Sequence, residues 1–337
     1  MTRTAVNRLA TMCTRVLWSS EGSPGEGTVL IGRSIDWMVD TASNMWAFPA
    51  GLVHEGSLAE NSLSWTSKYG SVMATMYDVL AVDGVNTEGL GVNTLYLTEA
   101  DYGIRDLVRP GLSIGIVAQY LLDNFATVAE AVDWFRTSRV QMIGTTVGAE
   151  KEPGVAHVSL ADESGDSAVV EFLDGETVIH HSPAFQVMTN SPTFAEQLEN
   201  IAPYLPFTQL QELPGSSTSP DRFVRASYYT DQLPTTSDYR TAAANVLSVI
   251  RNASVPYGVD DPEHPNIAAT RWRVLSDLTN RVYYYDSTLI PSLFWVALED
   301  LALSVGAPVL KLDIVSGGDR AGDQAEQFVA TEGFPPA

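Results

Sequence analysis

Only one cysteine, Cys13, occurs in 337 residues. That excludes an intrachain disulfide and any Cys-rich metal site. Basic residues are scarce as well: 19 Lys and Arg stand against 41 Asp and Glu, for a net charge of −22. Such a chain repels phosphate backbones and anionic headgroups, so neither nucleic acid nor a membrane surface is expected as a partner. No apolar run approaches the ~20 residues of a membrane-spanning helix. His54, His157, His180, His181 and His264 fall in no recurrent metal or triad spacing. They read as surface or packing residues, and no metal or other cofactor is expected. The first twelve residues, MTRTAVNRLATM, lack the continuous apolar stretch of a secretory signal. The expected location is therefore the cytoplasm, or the periplasm or exterior if translation starts elsewhere.

The patterned part of the chain is rich in short strands. Residues 28–35, 45–53, 62–66, 71–76 and 91–97 alternate or cluster β-formers between Gly-, Ser- and Asn-containing turns. Residues 111–124 and 127–138 carry apolar residues at helical spacing, the second opening on Thr127. Strands return at 155–161, 167–173 and 177–188, with Asp174-Gly175 as a turn. Helices are expected at 193–204, 221–231 and 239–251, then strands at 268–277 and 280–287 and an edge strand at 293–297. Strands and helices come in blocks, without solenoid repeats or a long linker. That pattern predicts sheets stacked between helical layers in one compact domain.

Cys13 sits in Met-Cys-Thr-Arg, ahead of the apolar run Val16, Leu17, Trp18. A lone cysteine is more often a small buried hydrophobe than a reactive group. Its place near the chain start allows another reading. Residues 1–12 are either a short propeptide or an upstream stretch before a true start at Met12; either route exposes Cys13 as the first residue. A free thiol near ~8.5 is mostly protonated at neutral pH, whereas an α-amino group near ~7.7–8.0 can take its proton. An N-terminal cysteine thus carries sulfur nucleophile and base together.

The order Cys13-Thr14-Arg15, Gly32 to Trp37 (GRSIDW), Asp83 to Leu90 (DGVNTEGL), Thr189 to Phe194 (TNSPTF) and Asp221-Arg222-Phe223 resembles the choloylglycine hydrolase family. That family comprises penicillin V acylases and conjugated bile salt hydrolases. The resemblance runs from Cys13 to about Trp295, and Asp40–Pro49, Ser64–Ser71 and Thr270–Tyr284 look most like penicillin V acylases of the Gram-negative type. It implies an α+β fold, the αββα four-layer sandwich of N-terminal-nucleophile hydrolases, over a single domain at 13–337. It also implies hydrolysis of a linear N-acyl amide, and a homo-oligomer, dimer or tetramer. The stretch between Asn190 and Arg222 is shorter than the insertion that the family associates with tetramer assembly, so the oligomer geometry is not carried over.

By themselves Arg33 and Asp36, three apart after strand 28–32, read as a surface ion pair, or as two groups reaching back to Cys13 if the strand turns there. Asn190 alone reads as a turn residue before Ser-Pro, and Arg222 as a solvated charge. The resemblance implies more. Asp36 would orient the α-amine of Cys13, Arg33 and Arg222 would lie beside the sulfur, and Asn190 with the backbone N–H of Tyr96 would form an oxyanion hole. Trp37, Met38, Met73, Met76 and Leu95 flank these motifs and are the expected wall of an apolar acyl pocket. The expected substrates are penicillin V or related N-acyl amides, acyl-homoserine lactones included. The alternatives are a bile salt hydrolase, against which Tyr96 and the short 190–222 segment count, and a non-catalytic binding member of the fold.

Overall fold

The computed structural model describes residues 12–20, 27–147, 152–258 and 268–333. Residues 1–11, the bulk of the expected propeptide or upstream stretch, and His264 lie outside them. Two large sheets stack face to face. The first orders its strands as Val187–Met188, Met12–Ser19, Val29–Asp36, Thr270–Asp277, Val282–Ser287, Phe294–Ala297 and Gly322–Asp323. The second runs Glu176–His181, Ser167–Leu173, Ala156–Ala161, Gly91–Tyr96, Leu80–Asn86, Ser71–Met76, Met45–Phe48, Leu310–Leu312 and Val329–Ala330. Helices α1 (Val117–Asn124) and α2 (Val128–Thr137) cover the outer face of the second sheet. Helices α3 (Phe194–Ile201), α4 (Ser219–Asp231) and α5 (Tyr239–Ala253) form the opposite outer layer, with α4 and α5 lying on the first sheet. This is the expected αββα sandwich.

The layers follow from side-chain alternation. In the Cys13 strand, Cys13, Arg15 and Leu17 face the second sheet, while Thr14 and Val16 face the helices; Arg15 reaches across to the Leu160 carbonyl and the Ser167 hydroxyl. Gly32 lets α5 come close, because a Cβ there would stand 2.9 Å from the Val246 Cγ1. Thr127 caps α2 by accepting from the Glu130 N–H, and the Asp174-Gly175 turn takes positive φ at both positions (52° and 80°), closing a tight hairpin as expected.

Several expectations are corrected. Leu80–Asn86 is a wholly buried central strand rather than turn sequence, despite Asp83, Gly84 and Asn86. Buried partners outweigh the turn propensity: Tyr283 Oη and Asn93 Nδ2 each donate to the Asp83 carboxylate at 2.7 Å. The expected strand 45–53 stops at Phe48, since the chain turns at Gly51 (φ 86°) and resumes as a separate small hairpin, Val53–Glu55 with Ser64–Thr66. The helix expected from 111 begins only at Val117, after a short strand (Gly111–Ser113) and a 3₁₀ turn. The strand expected over 177–188 breaks at a bend into Glu176–His181 and Val187–Met188, which join different sheets. Phe294–Ala297 is no edge strand, because Gly322–Asp323 pairs beyond it. Among the described residues no helix is long and apolar enough to cross a membrane.

Candidate active site

Cys13 is the second residue of the strand Met12–Ser19 in the first sheet and is 3% exposed. The neighbouring strand Val29–Asp36 runs straight through Asp36, with no turn where one was conceivable. Arg33 and Asp36, an odd number apart, therefore leave opposite faces of the sheet and flank Cys13 from two sides. Arg33 points between the sheets, its Nη2 3.7 Å from the Cys13 Sγ and donating to the Thr94 carbonyl at 3.0 Å. Its other amino group lies 3.8 Å from the Asp83 carboxylate, and its guanidinium sits 5.0 Å over the Trp272 ring. Asp36 accepts from the Thr270 hydroxyl at 2.5 Å through Oδ1; its buried Oδ2 has no hydrogen-bond partner among the described residues.

Arg222 projects from the first turns of α4 into the same cluster and is fully buried, not solvated. Its Nη1 donates to the Cys13 carbonyl at 2.6 Å and to the Thr14 hydroxyl, and its Nη2 to the Asn190 Oδ1 at 3.0 Å. The Asn190 Oδ1 also accepts from the Cys13 nitrogen at 2.5 Å, and the Asn190 Nδ2 donates to the Tyr96 carbonyl at 2.8 Å. Two donors on one side and an acceptor on the other fix which end of the amide is oxygen.

The strand pairing turns the Tyr96 backbone toward this cluster. Leu97 N–H donates to the Val155 carbonyl at 3.3 Å, which makes Tyr96/Ala156 a non-hydrogen-bonded pair of the antiparallel ladder. Both the N–H and the C=O of Tyr96 then face away from Ala156, on the side where Asn190 sits. Strands Leu80–Asn86 and Gly91–Tyr96 stay paired only from Asp83↔Asn93 to Val85↔Gly91, and the register shift against Ala74/Thr75 marks a bulge at Val82. Beyond it the strands splay, and the gap is an open, mainly apolar pocket with Cys13 and Arg33 in its wall. Trp37, Met76 and Leu95 line it as expected; Ile35, Leu80, Ile114, Gly115, Thr145 and Val155 complete much of the rest.

Two expected pocket residues lie elsewhere. Met73 stands three residues from Met76 on one strand, so alternation sends it to the outer face, where it packs in the α1–α2 core. Met38 is half-buried outside the pocket, and its carbonyl accepts from Arg271. Sequence reading also passed over Asp83 and Thr270, which hold Arg33 and Asp36. Asp83 opens the stretch DGVNTEGL, whose Asp, Gly and Asn residues are turn formers. Thr270 gave no signal, since its contact spans 234 positions.

The electrostatics follow from burying four charged groups around one thiol. Desolvation pushes the Cys13 thiol up, opposed by the Arg33 charge; the Asp36 charge adds to the rise, while the Asp36 backbone N–H and Arg222 oppose it. Burial lifts Asp36 to about 6 against the pull of Arg222, the Thr270 hydroxyl, Arg33 and Arg273. Burial lifts Asp83 to about 6 as well, against Arg33, Tyr283 and Asn93. Arg222 is lowered by desolvation, opposed by Asp36 and Cys13. A thiol beside the Arg33 guanidinium and in the wall of an apolar pocket, with Arg222 held on its own carbonyl, is equipped for acyl transfer to sulfur.

Comparison with known proteins agrees with this geometry. Residues 13–313 match the profile of linear amide C–N hydrolases, choloylglycine hydrolase family, and the match starts at Cys13. The chain is 41% identical over 322 residues to a penicillin V acylase of Pectobacterium atrosepticum, covering 90% of this chain and 85% of that one. The solved structure of penicillin V acylase from Agrobacterium tumefaciens superposes with a TM-score of 0.89 at 43% identity, covering 96% of this chain and 99% of the other. A variant of the conjugated bile acid hydrolase from Clostridium perfringens shares the fold, with a TM-score of 0.73 at 19% identity over 89% of this chain and 96% of that one. The chain belongs to the choloylglycine hydrolase family and is a linear amide C–N hydrolase similar to penicillin V acylases.

Proposed function

We propose that the protein is an acylase for N-acyl amides with a slim aryl or alkyl acyl group, such as penicillin V or an N-acyl-homoserine lactone, and that it acts with Cys13 as its first residue. The observation that carries this is the placement of Cys13 in the wall of an apolar pocket that Tyr96 also lines, with the Asn190 amide bonded to the Tyr96 backbone. The free α-amine takes the thiol proton, with the vacant Asp36 Oδ2 at hand to accept a hydrogen bond from it. The sulfur attacks the amide carbon, and the Asn190 Nδ2 and Tyr96 N–H receive the developing oxyanion. As the C–N bond breaks, the ammonium returns its proton to the leaving amine, leaving a thioester on Cys13. Water then attacks the thioester, giving a proton to the amine and releasing the acid and the thiol. Arg33 and Arg222 favour the thiolate throughout, Arg222 also fixing the Asn190 amide.

In support of the slim acyl group, the pocket is lined by bulky side chains, Trp37, Ile114 and Tyr96 among them. A rigid four-ring steroid demands a wider mouth. The deciding experiment measures kcat/KM for penicillin V, a long-chain acyl-homoserine lactone and glycocholate in one buffer. The expected result is an advantage for one of the first two. A clear advantage for glycocholate overturns the reading, and negligible rates on all three point to a different N-acyl amide.

A further inference from the structure

One buried polar cluster remains unused by the chemistry above. His157, on strand Ala156–Ala161, is 1% exposed and lies opposite Leu95, whose side chain lines the pocket. Its Nε2 is 2.8 Å from the Thr189 carbonyl, and its Nδ1 is 3.2 Å from the Glu171 Oε1. The same Oε1 accepts from the Phe194 N–H at 2.9 Å, where α3 begins. His180 stands 3.6 Å from the other carboxylate oxygen. Burial would raise Glu171, but the His157 and His180 rings and the Phe194 N–H hold it down at about 2, so it is ionised.

These bonds share a destination. One ends on Thr189 and the other, through Glu171, on Phe194, so together they bracket the short segment that carries Asn190. Two further ties hold that segment from the helices: the Asn190 N–H donates to the Ser219 hydroxyl at 2.9 Å, and Gln197 donates to the Thr189 hydroxyl and the Asn190 carbonyl. Neither His157 nor Glu171 has a hydrogen bond to Cys13, Arg33 or Arg222 among the described residues. A pair that served the sheet alone would bond along its strands. This pair reaches out of the second sheet to the residues on either side of one amide.

We infer that His157 is a positioning residue for the oxyanion-stabilising amide of Asn190, acting through the Thr189 carbonyl and, by way of Glu171, the Phe194 N–H. The inference rests on the reading of Asn190 given above. It requires the Nε2 position to donate, which a matched pair of substitutions separates. In His157→Gln the side-chain amide nitrogen can stand near the former Nε2 and still donate to Thr189. In His157→Asn it stands near the former Nδ1 and leaves the Thr189 carbonyl without its donor.

The test measures kcat and KM on the best substrate of the panel for both variants, for Asn190→Ala, and for the double variant Asn190→Ala/His157→Asn, with thermal unfolding alongside. A displacement of ~1 Å at a reacting centre costs up to ~10²-fold, so His157→Asn should lower kcat by roughly 10- to 100-fold with KM within about threefold. His157→Gln should stay within about fivefold of wild type. The double variant should be no slower than Asn190→Ala alone, because the two changes remove one function. Equal losses in the Asn and Gln variants, or fully additive losses in the double variant, overturn the inference and leave His157 a packing residue. If Asn190→Ala keeps its activity, the oxyanion reading itself fails. Should His157→Asn not fold, the Gln variant decides: a folded protein with kcat below about a tenth of wild type is the contradicting result.

Discussion

Asp83 lies outside the reacting atoms, yet its carboxylate should be a large pH-dependent cost to the fold. It is fully buried, faces Arg33 at 3.8 Å, and is lifted from 3.8 to about 6 by burial. Raised above its unfolded value, the carboxyl binds a proton in the folded state that the unfolded chain has already released between those two values. Stability then falls as pH rises from about 4 to about 7, each pH unit being worth ~1.4 kcal/mol. Over about two units the loss is about 3 kcal/mol, complete above pH 7 and absent below pH 4. Asp83→Asn mimics the protonated form, retaining an oxygen for the Asn93 or Tyr283 donor. The variant should match wild type in stability near pH 4 and exceed it by about 3 kcal/mol at pH 8. Its activity should still fall, because the counter-charge that holds Arg33 toward the Cys13 sulfur is gone. Urea unfolding at intervals from pH 4 to pH 8 measures the difference directly. A stability difference that is flat with pH, or a variant less stable than wild type at pH 8, refutes the reasoning.

Gly115→Val should narrow the acyl pocket, since even a Cβ there would stand 2.7 Å from the Leu80 Cδ2, another lining residue. Long acyl chains should lose ~10–200-fold in kcat/KM relative to short ones, read from an acyl-length series; an unchanged ranking places the acyl group elsewhere. Arg222→Lys keeps the charge but not the fork that holds the Cys13 carbonyl, Thr14 and Asn190. Its kcat should drop roughly 10²-fold in a folded protein, and activity near wild type would remove Arg222 from the site.

Sequence alone singled out Cys13 as the candidate nucleophile because it is the sole cysteine, and the resemblance supplied Arg33, Asp36, Asn190 and Arg222 as candidates. The structure brings those four and the Tyr96 backbone around Cys13, with Arg33 and Asp36 buried on opposite faces of an unbroken strand rather than paired at the surface. The pocket was half legible. Met76 and Leu95 line it, but Met73 was excluded by strand alternation, a rule that depends on knowing that 71–76 is continuous strand. Residues 80–86 were hidden for a physical reason: Asp83, Gly84 and Asn86 are turn formers, and only distant partners such as Tyr283 make them acceptable in a buried strand. The bonds of His157 were equally hidden, since Glu171 and Thr189 lie 14 and 32 positions away.

The account stands or falls on whether Cys13 works with a free α-amine. Intact-mass analysis of the active enzyme, taken together with its turnover, tests this most directly. The account predicts a mass matching a chain that starts at Cys13, and no turnover in any preparation that retains residues 1–12. Full activity in a protein whose mass still includes those residues would contradict it.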